Sequence, residues 1–462
     1  MPTERTEFYD RLVACLALAD DRALGEVLAD ARAADIAESF DLISDEDRSR
    51  VLYALPPYTA AEVVVMLDEA VRGEVVDELD TEALTEIVSE LAPDDAADVL
   101  GELSVQDSRE ILEQMPDILS DKMRELLEYD DQSAGGIMTP DVVAVPESAT
   151  VADAVGLVRE ASHQDDLNDV YLVDDEQKLV GTVPLRRLVT TSPHTPVSEI
   201  CDRDAVSVFA HDDQETVVQV IRKYNVSEAA VVNEQGRLLG RITHDDLLDV
   251  ADEEAEEDLF RLAGTDAAEL DTHSVFQAAR IRLTWLLPCM IGMLLSAAVL
   301  KFSAPQFDVG LFAALALFVP MIGATGGNTG IQISTVIVRG FATGDLGSTK
   351  LTRALLREGR IALAMSPICG LLAWALVTVF FPLFSWVDPA GVVVHDPARV
   401  AMAVGTAMAS AILVAAGLGI ALPFSFRRLG VDPAIASGPL VTTANDVVSV
   451  SIYMSLATLL TR

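Results

Sequence analysis

Residues 283–300 read LTWLLPCMIGMLLSAAVL, eighteen positions without one Asp, Glu, Lys or Arg, and they divide the chain into two chemistries. Downstream, further apolar segments cover about 309–338, 356–387, 399–426 and 433–461. With 283–301 they make five stretches near or above the roughly 20 residues of a bilayer-crossing helix. Upstream the chain is acidic. Residues 1–272 hold 66 of the 73 Asp and Glu but 20 of the 32 Lys and Arg, whereas residues 273–462 hold 7 acids and 12 bases. An acidic soluble part is therefore joined to a membrane-embedded part.

At 462 residues the chain exceeds one core, and about 100–200 residues per domain predicts three or four units. Cys15, Cys201, Cys289 and Cys369 have no paired spacing, so neither a disulfide framework nor a thiolate zinc site is expected. The opening MPTERTEFYDRL lacks the basic-then-apolar pattern of a secretory signal. A pI near 4.3 argues against nucleic acid as a partner, because such a surface repels phosphates, and makes cations the natural counter-charge. Scarce lysine, five against 27 Arg, with acids spread widely also suits a very salty cytoplasm, where the Debye length falls to about 3 Å at 1 M.

Between residues 40 and 119 apolar residues recur every 12 positions: Val51, Val63, Val75, Ile87, Val99 and Ile111, with Leu52, Val64, Val76, Val88, Leu100 and Leu112 beside them. A further column, Leu55, Leu67, Leu79, Leu91, Leu103 and Met115, stands four residues on, one helical turn away. Ser44, Pro56, Asp68, Asp80, Ala92, Ser104 and Pro116 punctuate the units, most of them residues that start helices. The pattern predicts short stacked helices in a superhelical array.

From Ser133 to about Val250 the chain is duplicated: Ile137 and Val143 match Ile200 and Val206 at an offset of 63, and Val173 and Gly181 match Val232 and Gly240 at an offset of 59. Each copy reads helix, two strands around a turn, helix. This arrangement resembles the CBS domain pair, a regulatory module of many channels and enzymes. In that family a Thr or Ser three residues before an Asp meets a ribose, and Thr243 and Asp246 fit. Val183 and Arg186 stand there in the first copy, so the resemblance implies one site for ATP or another adenine nucleotide. The alternative for Asp246 is a carboxylate at a helix N-terminus.

In the membrane part, Arg280 and Arg282 precede the first span, Arg339, Lys350, Arg353, Arg357 and Arg360 follow the second, and Arg427 and Arg428 follow the fourth. The positive-inside rule then places the acidic N-terminal half in the cytoplasm and the C-terminus outside the plasma membrane. Asp446, in SGPLVTTANDVVSV at 437–450, lies near the middle of its span, where a charge is costly unless it faces water or a partner. Thr442 and Asn445 flank it. In PMIGATGGNTGIQIST at 320–335 closely spaced glycines surround Asn328. Glycine at that density weakens a helix, and irregular backbone at membrane depth is tolerated where it lines a wet cavity; small-residue packing is the alternative. Carboxylate, amide and carbonyl oxygens of this kind suit a hard, hydrated cation such as Mg²⁺.

The order of these parts resembles the MgtE family of magnesium channels, carried by LAPDDAADVLGEL at 91–103, SAGGIMTP at 133–140, RLTWLL at 282–287, GGNTGIQ at 326–332 and PLVTTANDV at 439–447. The resemblance implies an acidic all-α superhelical repeat domain (1–130), an α/β CBS-domain pair (131–196 and 197–252), a connecting plug helix (253–280) and an α-helical transmembrane domain of five spans (281–462). It also implies a homodimer in the lipid bilayer, with the ion path on its two-fold axis between the second and fifth spans. By motif, Asp446 is the pore acid, with Asn328, Thr442 and Asn445 as further pore residues.

Cytoplasmic Mg²⁺ sensing falls to Asp94, Asp95 and Asp98 of the repeat and to Asp246, Asp249, Asp252, Glu253, Glu256 and Glu257 ahead of the plug. Repulsion among these acids favours separation, and divalent ions between them favour approach. Mg²⁺ is thus expected as both cargo and inhibitor. A carrier exchanging Mg²⁺, Co²⁺ or Mn²⁺ for Na⁺ or protons is the alternative. An enzyme is not expected, since no second intramembrane acid, histidine or nucleophile accompanies Asp446.

Overall fold

The computed structural model describes residues 2–18, 20–161, 167–269, 274–342, 348–380, 397–436 and 438–461. The chain divides into two compact units, Met1–Asp252 and Glu253–Arg462.

The first unit opens with α1 (Pro2–Leu18), α2 (Asp21–Ala29) and α3 (Ala33–Ala37). Seven helices follow at the sequence period: α4 (Asp45–Ala54), α5 (Pro57–Val65), α6 (Glu69–Glu78), α7 (Thr81–Glu90), α8 (Pro93–Glu102), α9 (Val105–Gln114) and α10 (Asp117–Leu126). The punctuating residues Ser44 to Pro116 are their N-caps. Asp80 and Ser104 accept backbone N–H bonds through their side chains, and Pro57 and Pro93 occupy first-turn positions where no N–H is needed. The columns Val51 to Ile111 and Leu52 to Leu112 are buried in one continuous core. Leu55, Leu79, Leu91, Leu103 and Met115 do not sit a turn further along their helices; they are extended C-cap residues where each helix stops. Most of these helices pack on the one two places along, α3 on α5, α5 on α7 and α7 on α9, with α2 on α4, α4 on α6 and α8 on α10 beside them. Arg48 of α4 reaches Glu74 of α6 at 2.7 Å, and Arg72 of α6 pairs with Glu102 of α8.

The duplicated region holds β1 (Ala144–Pro146), α11 (Val151–Glu160), β2 (Asp169–Val173), β3 (Leu179–Pro184) and α12 (Leu185–Thr190), then α13 (Val197–Ile200), β4 (Ser207–Phe209), α14 (Gln214–Tyr224), β5 (Ala229–Val232), β6 (Leu238–Ile242) and α15 (His244–Ala263). It forms two sheets of three strands, ordered β1-β2-β3 and β4-β5-β6, in which the first pair is parallel and the second antiparallel. The leading strands β1 and β4 were not expected; at three residues each they carry almost no periodicity. The copies also exchange their leading segments. Ala134 and Met138 pack in the core of the second copy, where Thr139 bridges Arg241, and Val197 packs in the first, where Asp202 bridges Thr182. The boundary expected at 131 therefore separates chain positions and not cores, because each segment completes the sheet whose edge it reaches.

The connecting helix expected over 253–280 is not one helix. The stretch beginning at residue 253 continues α15 and stops at Ala263, where Gly264 takes φ +81° and Thr265 N–H closes on the Phe260 carbonyl at 3.0 Å, a glycine C-cap. Residues 270–273 lie outside the described residues. The helix through Arg280 and Arg282 is instead the start of the first span, α16 (Val275–Ser303). The remaining apolar helices are α17 (Val309–Ala316) with α18 (Val319–Ala342), α19 (Ser348–Phe380), α20 (Pro397–Arg428) and α21 (Pro439–Thr461), giving five candidate spans. Residues 381–387, expected at the end of the third, lie outside the described residues. α20 is central, packing on α18, α19 and α21 through Ala401, Ala403, Val404, Ala407 and Ala411.

The second span breaks at residues 317–318 and not in its glycine run. Pro320 has no N–H for the Ala316 carbonyl, so the helix restarts at Val319. Near the break the buried Tyr453 hydroxyl donates to the Leu315 carbonyl at 2.9 Å.

Candidate functional site

The glycine run is helical throughout, and its glycines are contact points. A Cβ on Gly323 would lie 2.9 Å from Asp446 Oδ1, on Gly326 2.6 Å from Asn445 Nδ2, on Gly327 3.0 Å from Thr442 Cγ2 and on Gly330 2.6 Å from Val441 Cγ1. These glycines share one face of α18, and α21 lies against it as small residues allow. On the other side of α21 a Cβ on Gly292 of α16 would collide with Thr443. Packing, the alternative reading of these glycines, thus accounts for them. Gly326→Val is expected to destabilise the membrane unit by about 1–3 kcal/mol, an overpacking cost measurable by thermal unfolding in detergent.

Asp446 is partly exposed, and among the described residues its carboxylate has no hydrogen-bond or ion-pair partner. Its neighbours are more committed. Asn445 is fully buried, accepts the Ser449 hydroxyl at 3.0 Å and leaves Nδ2 unbonded in the seam. Thr442 donates to the Gly438 carbonyl at 3.0 Å and Thr443 to the Pro439 carbonyl at 2.7 Å. Within one chain, Asn445 is therefore sealed against Gly326 of α18, and the half-buried Thr442 lies against Gly327 while its hydroxyl bonds within its own helix. Asn328 is exposed and lies roughly 140° round α18 from Gly323 at about 100° per residue, so one chain does not bring it to Asp446.

Sequence reasoning missed a second polar contact of this unit. Arg261, near the end of α15, binds Glu257 and reaches Asp432, just ahead of α21, at 2.5 Å. Burial, with Asp432 and Glu254 nearby, raises the Asp258 carboxyl to about 6. Gly438 at φ +51° lets the chain pass against the Leu262 carbonyl, and Gly264 faces Pro439. No spacing pattern links 261 with 432. Glu253 and Glu256, expected as sensors, are exposed on α15.

In the first unit the structure gathers Asp94, Asp95 and Asp98 of α8 toward the start of α15. Ala97 of α8 packs in the core of the second CBS copy. Burial pushes the Asp94 carboxyl well above the carboxylate range, reinforced by the charges of Asp246, Asp95 and Asp98. Asp94 Oδ1 accepts no hydrogen bond. Desolvation by its surroundings likewise raises Asp98 to about 7, opposed by Arg72 and aided by Asp95, Asp131 and Glu102, although the residue is itself exposed at the surface. Asp131 was not foreseen. Asp249 and Asp252 are exposed further along α15. Among the described residues no three carboxylates, histidines or cysteines stand close enough to hold a bare metal ion at once. The cluster instead suits a hydrated divalent cation, whose own water reaches part of the acids.

Thr243 is buried, and both its N–H, at 3.2 Å, and its hydroxyl, at 2.5 Å, donate to Asp246 Oδ2. Asp246 therefore serves as a helix N-terminal carboxylate. The corresponding first-copy position has Arg186, whose charge opposes the rise that burial and Glu228 impose on Asp169, to about 6.

Three family descriptions match the chain: the MgtE intracellular N domain over residues 31–132, the CBS domain over 134–194 and 197–253, and the divalent cation transporter MgtE over 319–456. The magnesium transporter MgtE of Thermus thermophilus is 36% identical over 450 residues, covering 96% of each chain. That of Enterococcus faecalis is 34% identical over 343 residues, 74% of this chain and 72% of the relative. A crystal structure of the cytosolic domain of the Mg²⁺ channel MgtE in complex with ATP is 34% identical, covering 52% of this chain and 99% of the other, with TM-score 0.50.

Proposed function

The chain belongs to the MgtE family of magnesium transporters, and from that premise we propose that it is a Mg²⁺-selective channel admitting magnesium to the cell and closed by Mg²⁺ on its acidic domains. It is a multi-pass membrane protein that transports Mg²⁺. Membership of a transporter family supports transport, rather than catalysis, as its role. The observation that carries the reading is the carboxylate of Asp446, unneutralised in an apolar span and lodged where Gly323 leaves room for it. A carboxylate so placed attracts a divalent cation from water while leaving the ion's inner waters in place, which lets it enter and leave.

A homodimer completes the path. Asn328 and Gln332 form an exposed polar stripe on α18 away from its contacts with α21, a costly face toward lipid and a suitable one toward a second copy across a wet axis. The arginines at the ends of α18 and α20 support, by the positive-inside rule, an N-terminal half in the cytoplasm and a C-terminus outside.

Inside the cell, Asp94, Asp95, Asp98 and Asp246 form the Mg²⁺-sensitive joint. Their crowding opposes compaction when Mg²⁺ is scarce, and bound Mg²⁺ reverses the sign of that interaction. Asp249, Asp252, Glu253, Glu256 and Glu257 extend the acidic surface along α15. An adenine nucleotide at Thr243 and Asp246 is consistent with the related ATP complex, the ribose then sharing Asp246 with the Thr243 hydroxyl.

Planar-bilayer recording separates channel from carrier. Unitary Mg²⁺ currents that persist without Na⁺ or proton gradients are expected. Flux that needs either gradient, at fixed stoichiometry and without resolvable openings, favours the exchanger.

A further inference from the structure

The bases of the membrane unit are concentrated at one end of the bundle, where the C-terminus of α18, the N-terminus of α19 and the C-terminus of α20 meet. Phe341 of α18 and Phe424 of α20 approach with ring centroids 6.3 Å apart, over an apolar cluster that includes Ile337, Leu355 and Ala362. The Arg427 guanidinium lies over the Phe341 ring, 4.5 Å from its centroid, and that of Arg428 over Phe424 at 5.1 Å. Both arginines are exposed, and among the described residues neither has a carboxylate partner, in a chain with 73 acids. The helix dipole accounts for cations at the end of α20, but not for stacking one of them on another helix.

Stacking holds a guanidinium by its face and leaves its N–H edge open, the edge that forks onto phosphate oxygens. The pair also sits where apolar span gives way to charge, at the depth of lipid headgroups. We propose that Arg427 and Arg428, stacked on Phe341 and Phe424, bind the headgroup phosphate of an anionic phospholipid. The lipid then clips α20 to α18, the helix whose glycine face holds Asp446.

The test uses the full-length protein in neutral detergent at low salt, titrated with phosphatidylglycerol, phosphatidylcholine or inorganic phosphate and followed by native mass spectrometry and thermal shift. Wild type is expected to bind phosphatidylglycerol about 30-fold more tightly than R427Q/R428Q, which loses both charge-assisted contacts to the phosphate. R353Q/R357Q, which removes two exposed α19 arginines without the stack, is expected to weaken it no more than about threefold. Should the glutamine variant not assemble, R427K/R428K keeps the charge without the planar fork and is expected to weaken binding about tenfold. Equal losses from the α19 pair, unchanged binding in the lysine variant, or an equal response to inorganic phosphate would each overturn the lipid site.

Discussion

Proteoliposomes carrying Asp446→Ala are expected to take up Mg²⁺ at least about 100-fold more slowly than wild type. At an effective dielectric near 20 a carboxylate about 4 Å from a unit charge contributes about 4 kcal/mol, and a divalent ion feels more, so losing the anion removes most of the ion's stabilisation at membrane depth. Asp446→Asn is the sharper variant. It keeps the shape that lies against Gly323 and the approach of α21 to α18, and so isolates charge from packing. A similar loss in both variants, with unchanged thermal stability, assigns the effect to the anion. Full flux in Asp446→Asn would remove Asp446 from the path.

The second large effect is expected at the joint between α8 and α15. A carboxyl raised in the folded state binds its proton more tightly there than in the unfolded chain. Its stabilising contribution is therefore complete below about pH 4 and is lost as pH rises through about 7, the value for Asp98. For a fully buried group that gap is worth about 4 kcal/mol, and solvent at the exposed edge of Asp98 cuts it to roughly 1–2 kcal/mol. Without Mg²⁺, the cytosolic melting transition of the full-length protein should fall between pH 5 and 8, a window in which ordinary carboxylates are already ionised. Millimolar Mg²⁺ should restore it more at pH 8 than at pH 5. The double variant Asp94→Asn with Asp98→Asn should lose both the pH slope and most of the Mg²⁺ response. An undiminished response in that variant would place the sensor elsewhere.

Much of this architecture was legible in the residues. The repeat could be read because cap and apolar column keep the same period, so Ser104 starting α9 and Ile111 being buried are one statement made twice. Asp446 stood out because a lone acid in a span has few harmless explanations. Other features were opaque for physical reasons. Glycine content alone does not distinguish a broken helix from a closely packed one; the partner side chains of α21 decide it, and they lie more than 100 residues away. Amide and hydroxyl groups beside Asp446 read equally as ligands or as struts until Ser449 is seen to occupy Asn445 and helix carbonyls to occupy Thr442 and Thr443. The exchange of leading segments between the CBS copies leaves no trace in composition, since Met138 and Val197 would be equally apolar in either core. Arg261 and Asp432 were invisible as a pair because nothing local joins them.

Because the repeat helices rest on those two places away, with α6 tied to α8 through Arg72 and Glu102, the N-terminal array is a pair of interleaved files, and its length is counted in twos. Deleting the dozen residues of the α7 unit would put α6 and α8 in opposite files and uncouple Arg72 from Glu102. Removing 24 would preserve parity. Natural or engineered changes of size in this domain should therefore come as even numbers of units.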